Sequence, residues 1–230
     1  MLADTMKDRI MVALDVNNKD QAFAMRDTLA ESVGWLKVGL RLFVAEGPSL
    51  ISDLSKTHKV FLDLKFHDIP NTVAQAIEGA GALGVQMVNV HAGGGKPMLE
   101  AASKAAKAFP DMVLIAVTVL TSDTMPKDQA LKVALDRAKL AKDAGLDGVV
   151  CSVFEAASIK EACGQDFITV TPGIRWGNQD TQDQQRIADP KMAVENGSDY
   201  LVIGRPILQA DSPKQAAEEA AAMMSQAQAS

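Results

Sequence analysis

Cysteine is nearly missing from this chain, with only Cys151 and Cys163 among 230 residues. They form no CxxC pair and have no clustered histidines, which argues against both a disulfide framework and a zinc site of the usual spacing and fits a reducing cytoplasm. A positive surplus is missing too. The 23 Lys+Arg against 29 Asp+Glu give a net charge of -6, so neither nucleic acid nor an anionic membrane is expected as the main partner. Any charge that grips a phosphate must then be local. No apolar run reaches about 18 residues, and the opening MLADTMKDRI is broken by charge at once. Neither a signal peptide nor a membrane span is expected, and a cytoplasmic protein is. Nor does a linker interrupt the chain. What remains is 47% hydrophobic content over a length suited to one α/β barrel, so a single domain over residues 1–230 is the expectation.

Short β-rich runs recur, each followed by a segment with helical spacing, the pattern of a parallel sheet with crossover helices. Strands are predicted over 10–16, 35–40, 60–66, 87–91, 113–120, 148–152, 168–171 and 200–203. Eight such units predict a (β/α)8 TIM barrel. The intervening helices, such as 98–108, 128–143 and 213–226, are rich in Ala, Gln, Glu and Lys and suit an outer ring. Gly84, Gly145 and Gly197 sit where helices should end, as residues able to take the left-handed conformation.

Strands covered on both faces should be apolar throughout, so charges inside them need a reason. The third strand reads VFLDLKF, and alternation puts Asp63 and Lys65 on one face. Asp15 near the end of the first strand and Lys37 in the second add two more charges at the C-terminal rim, where barrel enzymes hold their catalytic groups. Each alone is compatible with a structural ion pair or an outward-reaching lysine. Together they predict an alternating acid and base cluster, because unpaired buried charge costs several kcal/mol per ion. Asp68 follows in HDIPNT, where Asp68 or Asn71 could cap the next helix beside Pro70, and on spacing alone that cap suits Asp68 as well as a catalytic role does.

A second concentration lies near the last two strands. TPGIR at 171–175 opens a long loop running through Gln184, and the eighth strand ends in Gly204 and Arg205. Barrels commonly bind phosphate between the loops after strands seven and eight, where glycine lets backbone N–H groups approach and arginine offers a planar fork. A turn glycine and solvated surface cations are the bland alternative. The histidines, His58, His67 and His91, fit structural roles better than acid–base ones. Gly93 to Gly95 lack the Gly-Lys-Ser/Thr continuation of a P-loop and suggest a flexible turn.

The run DLKFHDIPNT at 63–72 resembles the signature of bacterial orotidine 5'-monophosphate decarboxylases. The likeness continues, in order, through ALDV at 13–16, WLKVGL at 35–40, VTVLTS at 117–122, TPGIR at 171–175 and VIGRPI at 202–207. It implies conversion of orotidine 5'-monophosphate to UMP and CO2 in de novo pyrimidine biosynthesis, without a cofactor or metal. It further implies that Asp15 and Lys37 contact the ribose, and that Lys65 donates a proton within a network of Lys37, Asp63 and Asp68. Thr121 and Ser122 are implied to meet the pyrimidine, and Pro172, Arg175, Gln184, Gly204 and Arg205 to hold the phosphate side and close the loop. The resemblance also implies a homodimer in which Asp68 and Thr72 reach the partner's site. Two alternatives stand beside it: a metal-dependent sugar-phosphate decarboxylase of the same superfamily, and a non-catalytic phosphate-binding barrel.

Overall fold

The computed structural model describes residues 5–120, 122–177 and 188–228. Eight parallel strands close on themselves in sequence order: β1 (Ile10–Ala13), β2 (Trp35–Gly39), β3 (Lys59–Phe66), β4 (Met87–His91), β5 (Val113–Val117), β6 (Gly148–Val150), β7 (Ile168–Thr171) and β8 (Tyr200–Ile203). Closure is made by β1 on β8, with Met11 opposite Val202. All eight expected strands are present. Four are shorter than expected: β1 stops before Leu14, β2 before Leu40, β5 before Thr118 and β6 before Cys151. Apolar residues continue past each end, so composition alone carried the prediction too far.

Alternation along the strands divides the core in two. One face of each strand, with Val12, Leu36, Leu62, Val88 and Leu201, packs outward against the helices. The other fills the barrel with Met11, Trp35, Phe61, Met87, Ile115, Val170 and Tyr200, and the Trp35 and Tyr200 rings meet edge to face at 5.6 Å. This apolar plug closes the N-terminal half. Two residues further along the same faces come Ala13, Lys37, Asp63 and Asn89, so the polar side chains stand above a dry floor.

The helices are α1 (Lys19–Leu29), α2 (Leu40–Glu46), α3 (Pro48–Ser55), α4 (Pro70–Ala82), α5 (Gly95–Ala106), α6 (Lys127–Asp143), α7 (Val153–Cys163), α8 (Pro190–Glu195), α9 (Arg205–Leu208) and α10 (Pro213–Gln228). In α6, Ala130, Ala134, Ala138 and Ala141 form a buried stripe of small side chains that lets the helix lie close to the barrel. Gly84 and Gly145 end α4 and α6 at φ +78° and +84°, as expected of left-handed C-terminal glycines. The Gly93 to Gly95 run differs from the expected flexible turn. Ala92–Gly94 form a 3-10 turn and Gly95 starts α5, because the His91 imidazole accepts the Gly93 N–H and fixes the chain there. Among the described residues no helix is long and apolar enough to cross a membrane.

Candidate active site

A cleft of about 410 Å³ opens at the C-terminal end of the barrel. On its floor Asp63 joins two ammonium groups. Its Oδ1 lies 2.6 Å from Lys65 Nζ and its Oδ2 lies 3.3 Å from Lys37 Nζ. Lys37 Nζ also lies 3.8 Å from Asp15 Oδ1, which completes an alternating chain Asp15, Lys37, Asp63, Lys65. The Lys37 and Asp63 side chains are only 10% and 13% exposed, so this is paired charge held largely away from water. Burial by itself pushes the Asp63 carboxyl up. The two ammoniums, together with hydrogen bonds from Lys65 and Asn89, overcome that effect and hold it below the ordinary carboxylate value.

The end of β3 is not a regular strand. Its register against β4 runs from Leu62 opposite Val88 to Phe66 opposite Val90, so β3 carries extra residues in between. Within that bulge Lys65 has φ +52°, the sole positive value outside glycine among the described residues. Such a backbone costs about 1–2 kcal/mol for an L-residue. Period-two alternation therefore named the right face for Asp63 and Lys65, but the lysine reaches it through a distorted backbone.

The same cleft is lined by Pro172, Arg175, Gly204 and Arg205 from the ends of β7 and β8. Arg175 is buried, and its guanidinium donates to the Ile174 carbonyl at 3.0 Å. A methyl group built at Gly204 would stand 3.6 Å from the Asp15 carboxylate, so the two ends of the cleft meet there. Eight of the predicted site residues thus share one cavity: Asp15, Lys37, Asp63, Lys65, Pro172, Arg175, Gly204 and Arg205.

A family model, that of the orotidine 5'-phosphate decarboxylase / HUMPS family, matches residues 8–220. The chain belongs to that family. It is 49% identical to the orotidine 5'-phosphate decarboxylase of Legionella pneumophila strain Paris, over 90% of this chain and 95% of that protein. It is 47% identical to the decarboxylase of the same name from Trichlorobacter lovleyi, over 95% of both. The crystal structure of orotidine 5'-phosphate decarboxylase from Lactobacillus acidophilus superposes with a TM-score of 0.82 at 37% identity, covering 94% of this chain and 99% of that one. An uncharacterized conserved protein from Geobacillus kaustophilus gives 0.79 at 38% identity, with the same coverage. These likenesses make the chain an enzyme of the carboxy-lyase class.

Other predicted residues of this decarboxylase-family chain lie elsewhere. Asp68 and Thr72 are exposed and do not line the cleft of their own chain. Asp68 accepts the Ile69 N–H at 2.6 Å, yet neither it nor Asn71 caps α4, whose N-cap position is Ile69 followed by Pro70. Ser122 is exposed and lies outside the cleft lining, although its neighbours Leu120 and Asp123 belong to it. Thr121 and Gln184 lie outside the described residues.

Several residues in or behind the site were missed in the sequence. Asn89 is fully buried and bonds to both Asp63 and Lys65. Its signal was a polar residue on the inner face of MVNVH, the argument already applied to Asp63. Glu155 is buried at the cleft, where it closes a capping box on Ser152; the spacing Ser-x-x-Glu was the available sign. Cys151 also lines the cleft, but burial, with Glu155 and Asp199 adding to it against Lys160, pushes its thiol well up. That direction disfavours the thiolate a nucleophile needs.

Proposed function

We propose that this chain decarboxylates orotidine 5'-monophosphate to UMP and CO2 in pyrimidine biosynthesis, in the cytoplasm, without a cofactor, using Lys65 as the proton donor. The observation that carries the reading is the use of both Asp63 oxygens, one on each ammonium, within the cleft. Breaking the bond between C6 and the carboxylate releases CO2 and leaves its electron pair on C6, where no adjacent carbonyl delocalises it. A fixed ammonium beside that carbon stabilises the developing charge, and preorganised charge in a water-poor site is commonly the largest catalytic contribution. The Lys65 proton then moves to C6 and leaves a neutral amine, which solvent reprotonates. Asp63 offsets the cost of keeping Lys65 charged there.

The remaining roles are those that the family resemblance implies, and for Asp15, Lys37, Pro172, Arg175, Gly204 and Arg205 their place in one cleft supports them. Asp15 and Lys37, at the shared end of the cleft, suit the ribose hydroxyls, and Gly204 and Arg205 suit the phosphate, with Pro172 and Arg175 on the closing side; Gln184 is assigned to the phosphate by the resemblance alone. Thr121 and Ser122 are assigned to the pyrimidine. Asp68 and Thr72 are assigned to the active site of a second copy in a homodimer. Exposed apolar side chains on the same rim support that assembly: Leu40, Val44 and Ile69 are 56%, 79% and 66% exposed.

The test is the fall in pyrimidine absorbance when protein and a chelator are added to orotidine 5'-monophosphate. Turnover is expected, and a folded Lys65→Ala variant should lose nearly all of it while still binding UMP. Turnover abolished by the chelator, or substantial turnover in that variant, refutes the reading. Mixing Lys65→Ala with Asp68→Ala chains tests the assembly, because each hybrid dimer regains one intact site only if Asp68 crosses between subunits.

A further inference from the structure

We propose that Asn89 is a positioning residue for proton transfer, setting both the Lys65 backbone and the Asp63 carboxylate through the two ends of one side-chain amide. The proposal rests on the reading of Lys65 as proton donor and deepens it.

Asn89 lies in β4 with no exposed surface. Its Oδ1 accepts the Lys65 N–H at 2.8 Å, and its Nδ2 donates to Asp63 Oδ1 at 2.7 Å. The first bond falls at the bulge, where Lys65 leaves the regular register and its N–H needs another acceptor. Left unpaired, that buried donor would favour a return to an ordinary strand conformation, and the ammonium would swing with the backbone. The second bond fixes the carboxylate oxygen that also receives the Lys65 ammonium at 2.6 Å. One rigid amide therefore ties the start of the lysine side chain to the partner of its far end. A decarboxylation site needs the nitrogen in a fixed place before charge develops, and misplacement by about 1 Å can cost about 10²-fold in rate.

Filling space on the inner wall of β4 would require only a side chain of this size. The two roles separate on substitution. Asn89→Leu keeps the volume and removes both bonds. Asn89→Asp keeps the shape but places a carboxyl beside Asp63, with Lys65 and Lys37 as the facing cations and His91 next along β4. Two carboxyls this close bind one proton more readily than either does alone. In the protonated pair the new residue again donates to Asp63 and accepts from Lys65, as the amide does.

The experiment measures kcat and KM for orotidine 5'-monophosphate from about pH 8 to about pH 6, with thermal melts, on the native protein, both Asn89 variants and Lys65→Ala. Asn89→Leu should lose about 10²-fold in kcat with KM changed only a few-fold. The ratio of Asn89→Asp to native kcat should rise steadily as pH falls. An Asn89→Leu protein that keeps native kcat, or an Asn89→Asp ratio flat with pH, overturns the proposal. If Asn89→Leu does not fold, the Asn89→Asp ratio decides alone. Activity surviving in Lys65→Ala instead removes the underlying reading, a result distinct from either Asn89 outcome.

Discussion

Asp63→Asn isolates the carboxylate charge at almost constant shape. Asp63 faces two ammoniums at 2.6 and 3.3 Å, and the attractions amount to about 6 and about 5 kcal/mol at an effective dielectric of about 20. Desolvation of the three groups offsets much of this. Breaking a fully buried pair by removing one partner typically costs about 3–5 kcal/mol. Here the Lys65 side chain is 34% exposed, so water recovers part of the loss and about 2–3 kcal/mol is expected. An amide also turns its NH2 toward at least one ammonium or toward the Asn89 NH2, whichever way it is flipped.

For a chain of this length that penalty lowers the melting midpoint by roughly 5–10 °C. Native and variant must be compared at equal protein concentration, since association shifts apparent stability. The pH dependence gives the sign. The folded-state carboxyl is held below its ordinary value of 3.8, so its contribution is complete above that value and fades as pH falls through the depressed folded value. The deficit of the variant should therefore be constant from neutral pH down to about pH 5 and shrink only in stronger acid. Midpoints equal within about 1 °C at pH 7, or a deficit that shrinks already between pH 7 and pH 5, would refute the charge-pairing argument. Turnover should fall about 10²-fold or more.

Gly148→Ala should destabilise by about 2–3 kcal/mol, because the new Cβ would stand 2.2 Å from the Ile168 carbonyl oxygen on the neighbouring strand; a native denaturation midpoint would contradict that. Lys160→Met removes a buried ammonium 2.6 Å from Asp199 Oδ2 at the N-terminal end of the barrel, and should cost about 3 kcal/mol without changing kcat per folded molecule. A kinetic defect would mean that the two ends of the barrel are coupled. His58 and His91 are both held below the ordinary imidazole value of 6.5, chiefly by burial. The unfolded chain then binds more protons as pH falls below that value, so stability declines in that range. A His58→Gln, His91→Asn double variant should show a flatter decline in unfolding experiments between about pH 7 and pH 5.

The fold was legible because both faces of each strand are covered, so eight β-rich runs stood out against alanine-rich helices. Strand ends were less legible. Leu14, Val119 and Leu120 look like strand residues, yet the chain turns away to form the rim. In the site, Lys37, Asp63 and Lys65 announced themselves as charges inside predicted strands, and Asp15 as a charge near a strand end. Asn89 was a weaker signal on its inner face, since a neutral amide is tolerated wherever its hydrogen bonds are met, and those partners are visible only in three dimensions. The placing of Asp68 and Thr72 on the exposed rim, away from their own cleft, was likewise beyond strand patterning, because it depends on how the loop after β3 leaves the barrel.

Lys65 shows why a correct face does not amount to a correct geometry. In a regular strand its N–H would join the ladder to β4, and its side chain would leave the wall in register with Asp63. The bulge takes the N–H out of the ladder and gives it to a side chain, at the expense of a left-handed backbone. A strained residue of this kind persists only where its surroundings over-determine it. Here the surroundings are the Asn89 amide below and the Asp63 carboxylate beside it. The strain falls on the residue whose ammonium ends the alternating chain of charge. A sequence change that relaxed the backbone while keeping every charge should therefore displace the ammonium from Asp63 and lower turnover.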